Sequence, residues 1–206
     1  MRTKLIAIAV VLAIGVLAVL GWFGYQMFKT GFSAKAEPQA LEVFMARQIR
    51  YLAIPLEHRN RTNPVSLTPD VLQDGLAHFA DHCATCHAND GSGQTPIGKG
   101  VYPKAPDLRE PATQNMSDGE LFWVIHNGIR FTAMPAWGEG DPEKDTDSWK
   151  LVHFIRHLPS LTPGELEHMK SLNPKTKHEL EEEASFEKFL QGDDAAGAQT
   201  GTGHHH

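Results

Sequence analysis

The chain has 206 residues, 41% of them hydrophobic, and a formal charge of −6, which bounds it to one ordinary domain with extensions or two small ones. Arg2, Lys4, Lys29 and Lys35 all precede the first acidic residue, Glu37, so the remainder sets 15 Lys and Arg against 25 Asp and Glu. A body this acidic excludes nucleic-acid binding through a phosphate-seeking surface and suits a positively charged protein partner.

From Leu5 to Phe28 run 24 residues without a charge, enough helix to cross roughly 30 Å of hydrocarbon. Trp22 and Tyr25 near one end match an interfacial aromatic belt. Residues 1–36 are therefore expected to form a single-pass membrane anchor. The competing reading is a signal peptide cleaved after Ala34-Lys35-Ala36, but that site lies well beyond Leu20 and the apolar run exceeds a usual signal core. Residues 37–66 read as a connector. Pro38 suits a helix start, and Leu41, Phe44, Met45, Ile49 and Leu52 recur at helical spacing with Arg47 and Arg50 between them. A juxtamembrane helix results, packed on the domain or lying near the headgroups. Arg59-Asn60-Arg61-Thr62-Asn63-Pro64 is turn chemistry, and it places the main domain at 67–160.

Thr68 caps a helix with Pro69 in its first turn. Val71, Leu72, Gly75, Leu76 and Phe79 share a broad face, and the helix carries the chain to Cys83. Gly75 is unfavourable there by about 1 kcal/mol relative to alanine, which a close helix crossing explains. Next comes Cys83-Ala84-Thr85-Cys86-His87, with the chain's two cysteines. The C-x-x-C-H spacing reads as covalent haem attachment: two thiols add across the vinyl groups, and the adjacent histidine binds iron. Zinc needs four N/S ligands and finds no second cysteine pair. A thioredoxin-like pair needs a neighbouring βαβ unit. A disulfide closing so tight a loop stabilises little.

Gly75, Phe79, Cys83, Cys86 and His87 together resemble the N-terminal helix and haem loop of class I c-type cytochromes, membrane-anchored, monohaem and of bacterial type, over about Thr68 to Pro159. The resemblance implies an all-α fold, with three or four helices around one covalently bound haem c and the glycine–aromatic helix meeting the C-terminal helix nearly at right angles. Asn89-Asp90-Gly91-Ser92-Gly93 reads as a tight loop at the haem edge; a phosphate loop would need a preceding strand and G-K-[ST]. Within Tyr102 to Leu108, the resemblance implies a proline carbonyl, of Pro103 or Pro106, accepting a hydrogen bond from His87. Ser117-Asp118-Gly119-Glu120 is a capping box ahead of a helix ending near Asn127-Gly128.

In Arg130 to Trp137, a Met-Pro pair presents Met134, a soft thioether donor, on an irregular loop. The Met134-Pro135-Ala136-Trp137 segment is similar to the sixth-ligand loop of the same cytochromes. Alternative ligands are His82, too near the attachment site to reach the other face, and His126 and His153, both on predicted helices. Asp145 to Ser148 open the last domain helix, Trp149 to Leu158. His153 and His157 stand four apart, without an evident third metal ligand. Residues 161–206 read as an acidic helical tail. Thr162 caps a short helix through Met169, and Lys177 to Leu190 forms another that Phe186, Phe189 and Leu190 can dock. Residues 192–203 are expected to be disordered, and His204 to His206 are native or an added tag.

With His87 and Met134 as axial iron ligands and Cys83 and Cys86 as thioether donors, no open iron position is expected, hence no catalytic residue and no small-molecule substrate. The resulting expectation is a single-electron carrier, tethered to the bacterial inner membrane with its haem domain in the periplasm. It passes electrons between redox protein partners, free-standing or as the haem subunit of an oxidase or dehydrogenase. The alternative is a haem enzyme or gas sensor in which Met134 leaves the iron and His126 or Arg130 becomes a distal group.

Overall fold

The computed structural model describes residues 2–29, 31, 33–175 and 177–190. Among them every regular element is helical and no strand occurs. Helix α1 (Arg2–Lys29) is apolar, exposed along its length and long enough to cross a membrane, which supports membrane anchoring. Helix α2 (Ala40–Ala53) forms where the helical spacing predicts it, and buries none of its residues.

The short helix α3 (Leu56–Arg59) and the residues after it pack into the main body rather than bridge to it. Ile54 is buried, the His58 ring lies 4.4 Å from that of Trp123, and Asn63 Nδ2 donates to Trp149 O at 2.8 Å. The Arg61 guanidinium sits 5.7 and 5.6 Å from the Phe122 and Trp149 rings. Polar turn residues without periodicity gave no sequence signal for this packing.

Helix α4 (Pro69–His78) starts as predicted, Thr68 Oγ1 accepting from Val71 N–H at 3.2 Å. It passes into a π-helical turn (Phe79–Cys83), closed by the Ala84 N–H donating to Phe79 O, and then into α5 (Ala84–His87). The widened turn is the one departure from the single helix expected up to Cys83. Short helices α6 (Pro96–Gly100) and α7 (Pro111–Gln114) lead to α8 (Asp118–Asn127). Both halves of the α8 capping box are made: Glu120 N–H donates to Ser117 Oγ at 3.1 Å, and Ser117 N–H to Glu120 Oε2 at 2.7 Å. Gly128, at φ +67°, ends the helix in a conformation that favours glycine.

Helix α9 (Thr146–His157), capped by Asp145, runs through the centre of the core and ends in a 3₁₀ turn (Leu158–Ser160). Trp149, Leu151, Val152 and Phe154 are buried there against Leu76, Phe79 and Phe122. Phe122 stacks on Trp149 at 4.2 Å, and Phe79 meets Phe154 at 5.1 Å. Gly75 is the crossing point of α4 and α9: a Cβ added there would lie 2.6 Å from Lys150 O and 3.1 Å from Phe154 Cβ. No side chain larger than hydrogen fits that gap.

Residues 161–172, read from sequence as the beginning of the tail, instead fold onto this body as α10 (Pro163–Leu172), with Met169 fully buried in the core. A separate unit starts at Asn173 and contains α11 (Lys177–Leu190), in which Phe186 is exposed. The side chains of Phe189 and Leu190, residues 192–203 and His204 to His206 lie outside the described residues.

Candidate haem site

Cys83 closes the π-helical turn, and Cys86 and His87 follow within α5, so all three lie within about one and a half helical turns. Both thiols are free and half-buried. Burial, and secondarily the neighbouring Cys86, pushes the Cys83 thiol up to about 12. It is therefore a neutral thiol rather than the low-pKa thiolate of a redox-active pair.

Burial lowers the His87 pKa, with the Pro106 carbonyl acting in the opposite direction. His87 Nδ1 stands 3.4 Å from Pro106 O. Of the two prolines left open by the sequence, Pro106 is the one that meets the ring. A neutral imidazole that donates from Nδ1 leaves Nε2 free as a ligand, and the carbonyl fixes both tautomer and orientation.

The loop after the motif folds tightly against its back. Gly93 N–H donates to His87 O at 2.8 Å, and Thr95 Oγ1 donates to Cys86 O at 3.1 Å. A Cβ on Gly98 would fall 2.2 Å from Cys86 O, so the backbone there approaches the motif as closely as glycine allows. Arg109 braces the far side, donating to both Asp107 carboxylate oxygens at 2.9 and 2.7 Å and to Asp90 at 3.1 Å. This agrees with the expected tight loop around 89–93.

Met134 is half-buried in the segment between α8 and α9. Its N–H donates to Thr132 Oγ1 at 3.1 Å and its carbonyl accepts from Ile129 N–H at 3.1 Å. Trp137 and Gly138 tie the segment's end back to α8, donating to Ile125 O and His126 O at 3.0 and 3.1 Å. The two halves of the site meet through Trp137, whose ring lies edge-on to that of His82 at 5.1 Å.

The alternative histidines are engaged elsewhere. His126 Nδ1 is 2.6 Å from Asp145 Oδ2, with side chains 7% and 8% exposed, and its ring stacks on Phe122. His153 Nε2 meets Val65 O at 2.7 Å, and His157 Nε2 meets Glu165 Oε1 at 2.8 Å. Among the described residues no group of three or more His, Cys, Asp or Glu side chains is placed to hold a metal ion.

Two features carried no sequence signal. One is the His126–Asp145 pair, which joins the end of α8 to the start of α9 at the root of the Met134 segment. The other is Arg156, which donates to Gln114 O at 2.5 Å, to Met116 O and to Asp118 Oδ1 at 2.9 and 3.0 Å. It thereby holds the 107–117 loop against α9. Both pairings span residues far apart in a stretch whose pattern reads only as helix and loop.

The donor set fits a haem of the c type: adjacent thiols, a neutral imidazole oriented by a carbonyl, and a thioether on a pinned loop. Ile97 and Phe131, on the segments that follow the motif and precede Met134, are exposed apolar side chains. Residues 70–155, under half of the chain but including Cys83, Cys86, His87 and Met134, match the family described as cytochrome c oxidase, cbb3-type, subunit III, and over that stretch the protein is a c-type cytochrome domain.

Proposed function

We propose that the protein is a membrane-anchored carrier of single electrons, with one haem c joined through thioethers to Cys83 and Cys86 and its iron held between His87 and Met134. The observation that carries this reading is the His87 ring, neutral through burial and aimed by the Pro106 carbonyl, on the turn that also presents both thiols. Bound haem supplies a one-electron iron couple. His87 would hold the iron through its unprotonated nitrogen. Met134 would hold it through its sulfur as a weak donor, which favours the reduced state and raises the potential relative to a second histidine. The buried side chains of α4, α8 and α9 exclude water and act in the same direction, because charge is costly to bury.

With the iron bound by two side chains, the protein would relay electrons rather than transform a substrate. Thioether attachment of haem implies a haem domain outside the cytoplasm, hence an N-in anchor and a periplasmic position. Confinement to the membrane plane raises the effective concentration near membrane-bound redox complexes. The description of the matching family, an oxidase subunit, favours assembly with such a complex, and the acidic body suits a positively charged docking face. The sensor alternative needs a distal group, and His126 is held by Asp145 away from that task.

Spectroscopy of the full chain tests the axial pair. The oxidised protein should show the far-red methionine–iron band, lose it in Met134→Ala, and the reduced parent should not respond to carbon monoxide. Rapid carbon monoxide binding by the reduced parent would refute the carrier reading.

A further inference from the structure

Helix α2 is turned inside out. A helix at the surface of a soluble domain buries its apolar stripe and shows its polar one. Here Leu41, Phe44, Met45, Ile49, Tyr51 and Leu52 are all exposed, Leu52 to 72%, while the polar side chains Glu42 and Arg50 are half-buried. Glu42 accepts from the Tyr102 hydroxyl, and Glu37, just before the helix, pairs with Lys104. Arg50 and Tyr51 line a cavity of about 310 Å³ together with Pro111, Asn115, Met116 and Glu120. The side bearing Glu42, Val43 and Arg50 meets the domain, while Leu41, Phe44, Met45, Ile49 and Leu52, with Gln48 among them, face away over more than three turns.

Three observations select the occupant of that stripe. Helix α1, the membrane anchor, ends at Lys29, and an extended chain spans at most about 3.5 Å per residue. The ten residues 30–39 therefore keep the start of α2 within a few tens of ångströms of the bilayer. At the edge of the stripe, where it meets the domain, the Arg59 guanidinium covers the Tyr51 ring at 4.0 Å. This amphipathic, cationic pairing is suited to headgroup depth. Exposed Arg47 beside the stripe and Lys35 in the linker add positive charge for lipid phosphates.

We propose that the apolar face of α2 lies in the headgroup–acyl boundary of the membrane that α1 crosses. It is a second, in-plane attachment, continuous with the first. The domain surface beside α2, around Tyr102 and residues 111–120, then faces the bilayer, and the haem domain rides in one fixed orientation instead of swinging on a tether. This does not depend on the identity of the iron ligands.

Photo-cross-linking of the full-length, haem-loaded protein tests it, both in vesicles of phosphatidylethanolamine and phosphatidylglycerol and in native membranes. With p-benzoylphenylalanine replacing Leu52 or Phe44, lipid adducts are expected in both settings. They should be at least tenfold fewer with the same group at Val43, on the half-buried side. The Phe44→Glu/Leu52→Glu double variant should stay membrane-bound through α1, yet be cleaved several-fold faster by protease within 30–39. Absence of lipid adducts at Leu52 and Phe44, equal adducts at Val43, cross-linking of Leu52 to a second polypeptide in native membranes, or unchanged cleavage of the double variant would each overturn the proposal.

Discussion

Gly75→Ala adds one methyl group where α4 crosses α9, and the structure sets its cost. The new Cβ would sit 2.6 Å from Lys150 O, 3.1 Å from Lys150 C and 3.1 Å from Phe154 Cβ. Two of those atoms are backbone within α9 and the third is the root of a buried side chain, so none can rotate away. The helices must separate, loosening the Phe79–Phe154 contact beside them. Overpacking of this kind costs about 1–3 kcal/mol, and an obstacle made of backbone puts it near the upper end. Alanine returns about 1 kcal/mol through its better helix propensity. The net expectation is a loss of about 2 kcal/mol, or roughly 5–10 °C in the unfolding midpoint for a domain of this size. Thermal and urea unfolding of haem-loaded protein, followed by circular dichroism, measures it. Gly164→Ala in α10 makes the same chemical change with nothing within 4 Å, and should leave stability unchanged or raise it by up to about 1 kcal/mol. If Gly75→Ala proves as stable as the parent while keeping its haem spectrum, the crossing is not the reason for this glycine.

Met134→His should abolish the far-red band and lower the reduction potential by on the order of 100 mV, within the roughly 0.8 V that axial ligation spans; potentiometry that finds neither change removes Met134 from the iron. Burial pushes the Asp145 carboxyl up, but hydrogen bonds from His126 and Ser148 outweigh it and hold the pKa below the ordinary range. Its stabilising contribution is therefore intact above the usual carboxylate pKa near 4 and is lost as pH falls through the lower folded value. Asp145→Asn should cost about 1–3 kcal/mol at neutral pH and flatten the acid limb of the stability curve, read by urea unfolding at a series of pH values. Ser117→Ala removes the acceptor of one half of the α8 capping box and should destabilise by about 1 kcal/mol in the same assay.

The sequence made legible what depends on near neighbours. The attachment motif, the Thr68 and Ser117 caps, the Gly128 stop and the apolar faces of α4 and α9 each follow from residues within one or two turns of each other. The structure reproduces the two caps, the helix stop and the apolar faces. Gly75 was legible as a conflict: a poor helix former in a good helix pointed to a crossing that only tertiary structure could locate. What stayed hidden was pairing across distance. Nothing near Asp145 signals that it meets His126, and nothing near Asn63 signals that it reaches Trp149 O. The π-helical turn before Cys83 was hidden for another reason, since a register change of one residue leaves the apolar pattern of 71–79 unaltered. Helix α2 was legible as amphipathic, but which side met the domain was not. Periodicity reports that a face exists, and the tertiary fold decides what covers it.

Covalent attachment of haem to Cys83 and Cys86 is what the proposed function stands or falls on. The most direct measurement is made on full-length protein from a host that carries the haem-attachment machinery, precipitated in acidified organic solvent and weighed intact by mass spectrometry. A coloured precipitate and a mass increased by one haem are expected, both abolished in the Cys83→Ala/Cys86→Ala variant. A colourless polypeptide of unmodified mass, with any pigment left in the solvent, would contradict it.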